Sequence, residues 1–153
     1  MSKKFYIATD HAGYIVKAYV KEIVSDLGHE IIDLGPDNAD RVDYPDFAKK
    51  CTEAVIADPG SFGILICGTG IGMSISANKV HGIRAALCHD HYTAKLTRQH
   101  NDANILCFGE RVVGKGVIED MIDAFASTEF EGGRHATRIG KIEAGCSFGA
   151  DLG

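Results

Sequence analysis

Gly63-Ile64-Leu65-Ile66-Cys67-Gly68-Thr69-Gly70-Ile71-Gly72-Met73-Ser74 reads as a buried strand that turns through glycines into a helix. Ile64 to Ile66 is a short apolar run of the kind found in a strand covered on both faces. Gly68, Gly70 and Gly72 follow at alternate positions, and a helix is expected from about Ser74 to Val80. Such a turn leaves main-chain N–H groups without helical partners, and together with the helix dipole they attract negative charge. A thiol, Cys67, and a hydroxyl, Thr69, stand at that spot, so the stretch fits an oxyanion site beside a base or nucleophile. Three look-alikes fail. No Gly-Lys-Ser/Thr follows, as a phosphate-binding Walker loop requires, and Met73 stands where the dinucleotide fingerprint needs its third glycine. A phosphatase cysteine wants an arginine close behind it, and the first one after Cys67 is Arg84. The plain alternative is a tight turn with a cysteine packed as a small hydrophobe.

The 153 residues match one domain with a proper core, and 45% apolar with 24% charged residues is globular composition. A net charge of −5 favours neither nucleic acid nor an anionic membrane as partner, so an anionic small molecule would need a local basic cluster. The cysteines at 51, 67, 88, 107 and 146 are odd in number, with no C-x-x-C and no zinc-module spacing. Cys67, Cys88 and Cys107 end apolar runs, as buried strand residues of a reducing compartment do. Without a signal peptide or an apolar span, the expected location is the cytoplasm.

Outward from the glycine stretch, strands and helices alternate. Strands are expected at Phe5–Thr9, His29–Leu34, Gly63–Cys67, Gly82–Leu87 and Asn104–Phe108. Helices are expected at Tyr14–Leu27, Pro45–Ala57, about His91–Arg98, Val117–Phe125 and Arg134–Glu143. Gly28 closes the first helix and Pro45 opens the second. This order means an α/β fold: a single Rossmann-like, doubly wound domain over 1–146, about five parallel strands with helices on both faces and a C-terminal helix. Ser147–Gly153 is expected to be a loose tail. In such sheets ligands sit beyond the carboxyl ends of the strands, where the strand order reverses. The common order sets the first and third strands side by side, which brings Asp10 and His11 next to Cys67 and Thr69.

Other groups add to the crevice. Asp10-His11 suits a sugar or a phosphate, against the simpler role of Asp10 as a helix cap. Arg134 and Arg138 are four apart and share a helix face, so two guanidinium forks could clamp a phosphate; otherwise they form a solvated basic face. His100 and Asn101 precede the last strand and so lie at the amino end of the sheet. A catalytic His100 would then have to serve a neighbouring subunit. Cys88-His89-Asp90-His91 offers metal-ligand types but no third ligand by spacing, and Asp90 as a cap is the simpler account.

The chain resembles the type B ribose-5-phosphate isomerases, sugar-phosphate isomerases whose wider family also acts on galactose 6-phosphate and allose 6-phosphate. The resemblance runs from Phe5 to about Ala144. It is carried by Thr9-Asp10-His11-Ala12-Gly13, Asp43-Tyr44-Pro45, Cys67-Gly68-Thr69-Gly70-Ile71-Gly72, Ser76-Ala77-Asn78-Lys79, Arg98-Gln99-His100-Asn101, Phe108-Gly109-Glu110-Arg111 and Glu131-Gly132-Gly133-Arg134-His135. It implies interconversion of ribose 5-phosphate and ribulose 5-phosphate without metal or cofactor. Cys67 would move the proton between C1 and C2, Thr69 would help a proton between the sugar oxygens, and His100 would open the furanose ring. His11, Arg134 and Arg138, with Arg111, would hold the phosphate, and Asp10, Tyr44 and Asn101 would line the sugar. The main chain of Gly68, Gly70, Ile71, Gly72 and Ser74 would take the enediolate charge. Members that lack the cysteine carry a glutamate at the position of Met73, so this chain is of the cysteine type. Homodimers or homotetramers with shared sites are implied as well. The alternatives are a six-carbon sugar phosphate as substrate or, further off, a nucleotide-binding module.

Overall fold

The structure is a computed structural model that describes residues 1–145; the expected tail from Ser147 lies outside them. Eleven elements alternate: β1 (Lys4–Thr9), α1 (Tyr14–Asp26), β2 (Glu30–Asp33), α2 (Tyr44–Ala57), β3 (Phe62–Cys67), α3 (Ile71–Asn78), β4 (Ala85–Leu87), α4 (His91–Asn101), β5 (Ile105–Gly109), α5 (Lys115–Ser127) and α6 (Arg134–Gly145). The sheet is parallel throughout, in the order β2-β1-β3-β5-β4. β3 is therefore central, and the order reverses between β1 and β3. Thr9 is in register with Ile66, and Gly109 with Cys67, so three strands end together around Cys67.

Because alternate side chains of a strand point to opposite faces, β3 serves two cores. Ile64 and Ile66 pack with Val16 and Val20 of α1 and with Ile118 and Phe125 of α5. Leu65 and Cys67 pack with Val55 of α2 and Met73 of α3 on the other face. Met73 is thus fully buried core.

Three elements differ from their expected limits by three residues at one end, each for a local reason. α3 begins at Ile71 rather than Ser74, because Ser74 N–H already donates to Gly70 O. β4 is only three residues long. Ahead of it the Asn104 side chain accepts from Arg84 N–H and donates to Gly82 O, replacing ladder bonds that a longer strand would make. α4 runs on to Asn101, since Arg98 is buried and donates to Asp102 Oδ1, Ala103 O and Thr128 O, locking the last turn in place. Asp90 caps α4 in a capping box with Thr93, as the simpler sequence account had it.

Candidate active site

The candidate site residues fall into two groups, one at each end of the sheet, with His100 at the amino end as its place before the last strand suggests. The first surrounds Cys67. Gly70 takes φ +80°, and a Cβ there would lie 2.6 Å from Leu87 Cδ1 and 2.7 Å from the Phe108 carbonyl carbon. Only glycine fits that conformation in that space. The turn carries Gly70 N–H onto Cys67 Sγ at 3.1 Å and Ile71 N–H onto Thr69 Oγ1 at 3.2 Å. Cys67 is 5% exposed, and its sulfur receives a main-chain donor at the first turn of α3. Helix geometry leaves Gly72 and Met73 N–H without acceptors in α3 itself. Ser74 is committed to structure: its N–H donates to Gly70 O and its hydroxyl to Ile71 O.

The other cysteines among the described residues are buried core thiols. Cys51 Sγ donates to a carbonyl, Tyr6 O, and burial pushes its thiol up to about 12. Burial pushes Cys88 up to about 11 and Cys107 well above the ordinary range. These three are protonated at neutral pH and inert.

Around Cys67 the expected neighbours are in place. Asp10 N–H donates to Ile66 O, and Asp10 Oδ1 accepts Gly13 N–H at 2.9 Å, so this carboxylate holds the turn into α1. His11 Nδ1 accepts Val42 N–H at 3.3 Å, which ties it to the loop before α2. Tyr44 lies across Gly72 so closely that a Cβ there would be 2.5 Å from its ring. Arg111 follows β5; its N–H donates to Gly68 O, and its guanidinium lies over Gly68. Thr69, Ile71, Tyr44 and Arg111 are exposed, so this end of the sheet stands open.

The second group lies at the amino end. Arg98 sits over the Phe62 ring at 4.9 Å, and Phe62 begins the strand that Cys67 ends. At about 3.3 Å per residue, those ends are about 16 Å apart. His100, two residues beyond Arg98, stacks on His135 with ring centroids 4.2 Å apart and planes 11° from parallel. Glu131 Oε1 faces both rings, 3.6 Å from His100 Nε2 and 3.5 Å from His135 Nε2. His135 is 5% exposed, its Nε2 has no hydrogen-bond partner, and its pKa is lowered, first by burial and then by His100 and Arg134. Arg134 and Arg138 leave the same helix toward solvent. Asn101 opens onto a groove of about 570 Å³ along the β4 edge, between α4 and α6. Sequence reasoning noted Glu131 and His135 in a motif without giving them a task, because their meeting with His100 is a matter of tertiary packing.

His100, Glu131 and His135 are metal-ligand types within 4.8 Å of one another. Their geometry does not suit an ion. An imidazole lone pair lies in its ring plane, and two stacked, near-parallel planes do not bring two lone pairs to one point about 2 Å from each nitrogen.

A thiol held in a glycine turn, on a doubly wound sheet and beside an arginine, fits an enzyme of phosphorylated metabolites. Residues 5–142 match the family described as Ribose/Galactose Isomerase, and the chain belongs to that family. It is 45% identical to ribose-5-phosphate isomerase B of Escherichia coli over 142 residues, 93% of this chain and 95% of that one. It is 54% identical to a putative sugar phosphate isomerase, YwlF, of Bacillus subtilis, covering 91% and 94%. Among solved structures, ribose-5-phosphate isomerase B of Clostridium thermocellum superposes with a TM-score of 0.89 at 51% identity, covering 92% and 95%. The type B ribose 5-phosphate isomerase of Leishmania infantum does so with 0.92 at 46% identity, covering 96% and 98%.

Proposed function

We propose that the protein interconverts D-ribose 5-phosphate and D-ribulose 5-phosphate through an enediolate. The observation that carries this reading is the Cys67 thiol accepting Gly70 N–H at the head of α3, in a chain of the Ribose/Galactose Isomerase family. Cys67 as thiolate takes the C2 proton of the open-chain aldose and returns it at C1. Thr69 carries a proton between O1 and O2. The N–H groups of the turn stabilise the enediolate, and each such donor is worth about a hundredfold or more in rate. Arg134, Arg138, His11 and Arg111 hold the phosphate, Asp10, Tyr44 and Asn101 line the sugar, and His100 opens the furanose ring.

The reading includes a homo-oligomer. Cys67 and His100 belong to opposite ends of β3, so a site that uses both draws on two copies of the chain. The open carboxyl end, the short edge strand β4, and exposed Ile71, Ile75, Tyr92 and Ile142 support this arrangement. A cytoplasmic location goes with it: among the described residues four buried free cysteines suit a reducing compartment, and no helix there is long and apolar enough to cross a membrane.

The test is proton NMR of ribose 5-phosphate in D₂O with the purified protein. Ribulose 5-phosphate should form with deuterium entering at the exchanging carbon. An untouched pentose beside turnover of allose or galactose 6-phosphate would move the substrate to six carbons and leave the chemistry standing. Inertness toward all three sugars would overturn the enzyme reading.

A further inference from the structure

We propose that Glu131 is the positioning residue of the ring-opening histidine: its carboxylate holds His100 by Nε2, the buried His135 ring is the surface on which that imidazole rests, and His100 Nδ1 is left for the sugar. The inference rests on the role given to His100 above. It assigns work to two residues, Glu131 and His135, that the isomerisation chemistry at Cys67 does not use.

His100 is restrained from three sides. Arg98 fixes the last turn of α4 through three acceptors. Glu131 N–H donates to Gln99 O at 3.1 Å, which ties the residue bearing the carboxylate to the residue just before His100. Gly132 and Gly133 then take φ +71° and +60°, a pair of left-handed positions. They redirect the chain into α6 so that His135, four residues after Glu131, lies against the His100 ring. The result is a flat stack with a carboxylate at its edge, not a mobile side chain on a helix end.

The charges fit the task. Burial keeps His135 toward its neutral form, and a neutral ring stacks on an imidazolium without repelling it. Glu131 is half-exposed and stands at ion-pair distance from both Nε2 atoms without a hydrogen bond to either. A shift of about 0.5 Å brings it to hydrogen-bond length. With its Nε2 proton directed at a carboxylate, His100 is fixed in the tautomer whose Nδ1 carries the free lone pair. That lone pair can take the O1 proton of the cyclic sugar as the C1–O4 bond breaks and C1=O1 forms. The electron pair released to O4 then collects the proton from the same imidazole, so the step is neutral overall. Arg134 and Arg138 leave the helix that carries His135, so the groups that would grip the phosphate are mounted on the element against which the ring-opening group is stacked.

The two substrates separate this role from any other. Ribose 5-phosphate is a furanose closed through O4 and must be opened. Ribulose 5-phosphate has its 5-oxygen esterified and stays open. Glu131→Gln should lower turnover of ribose 5-phosphate roughly ten- to a hundredfold, the usual effect of losing such an outer partner. Its rate of deuterium exchange at C1 of ribulose 5-phosphate should stay near that of the unaltered protein, which also shows that the variant is folded. His100→Asn should show the same split more strongly. If Glu131→Gln slows both reactions alike, or neither, the positioning role is overturned. If His100→Asn leaves ribose 5-phosphate turnover unchanged, His100 does not open the ring and the inference falls with it, while the Cys67 chemistry stands. If the unaltered protein exchanges no hydrogen in either sugar, the reaction itself has been misread and the inference fails with it.

Discussion

At the carboxyl end of β3 the reactive atoms are placed by main chain, whereas around the last turn of α4 they are placed by side chains stacked across three segments. Cys67 Sγ and Thr69 Oγ1 are each set by an N–H one turn of glycine loop away. That loop is clamped between Leu87, Phe108 and Tyr44. His100 instead depends on an arginine beneath it, a histidine beside it and a carboxylate at its edge. The difference matches the tasks proposed for the two regions. Stabilising an enediolate calls for fixed dipoles that need not reorganise. Opening a ring and gripping a phosphate call for charged groups with a proton to move or a fork to close.

The largest effect expected from this contrast is at Cys67. Cys67→Ala should lower turnover on the order of 10² to 10⁴, the worth of a general base, and leave the melting temperature nearly unchanged, since Gly70 still needs its left-handed turn. Steady-state kinetics with calorimetry checks both; near-normal turnover would remove Cys67 from the chemistry. The same variant tests whether the two ends belong to one site. Mixed with His100→Ala chains, it forms hybrids in which one site has both groups intact. About a quarter of the original activity should return for randomly assorted dimers. No recovery in hybrids proven by native mass spectrometry would break the link between the two regions.

Arg138 should give the next effect, and of a different kind. A guanidinium on phosphate makes charge-assisted hydrogen bonds worth about 1.5–3 kcal/mol. Arg138→Ala should therefore raise KM for ribose 5-phosphate about ten- to a hundredfold with a smaller change in kcat. An unchanged KM would show that α6 does not carry the phosphate grip.

The two regions also differ in how far sequence reveals them. The Cys67 turn is written locally: an apolar run, alternating glycines and the parallel order of strands suffice to bring Asp10 and His11 beside it, and the register of Thr9 with Ile66 bears this out. Its finer detail was not legible. Tyr44 of α2 lies against the backbone of Gly72, a contact between segments that the local pattern does not report. The amino-end cluster was legible only as parts. Spacing places Arg134 and Arg138 on one face and His100 at the far end of the sheet. The stacking of His100 on His135 depends on how α6 docks on α4, and no periodicity reports that. β4 is shorter than its sequence pattern suggests because the Asn104 side chain takes main-chain groups of Gly82 and Arg84.

The smallest effect probes that docking. Arg84 holds α6 to the start of β4. Its Nη1 donates to Glu143 Oε1 at 2.6 Å, its Nε to Asn101 O at 2.8 Å and its Nη2 to Asp102 O at 3.0 Å. The two carbonyls belong to the end of α4, so one guanidinium joins the helix bearing His100 to the helix bearing Arg134 and Arg138. Glu143→Gln keeps the shape and removes the charge. Both partners are partly exposed, so the loss should be about 1 kcal/mol or less, a fall of up to about 2–4 °C in Tm for a chain of this size. The informative quantity is KM. If α6 is a rigid mount, loosening its far end moves Arg138, the arginine nearer Glu143, more than it moves His135, which is wedged against His100. KM for ribose 5-phosphate should then rise severalfold while deuterium exchange at saturating ribulose 5-phosphate holds. A fall in exchange with KM unchanged would mean that the Arg84 joint serves the Cys67 end instead, and that the two regions are less separate than their geometry implies.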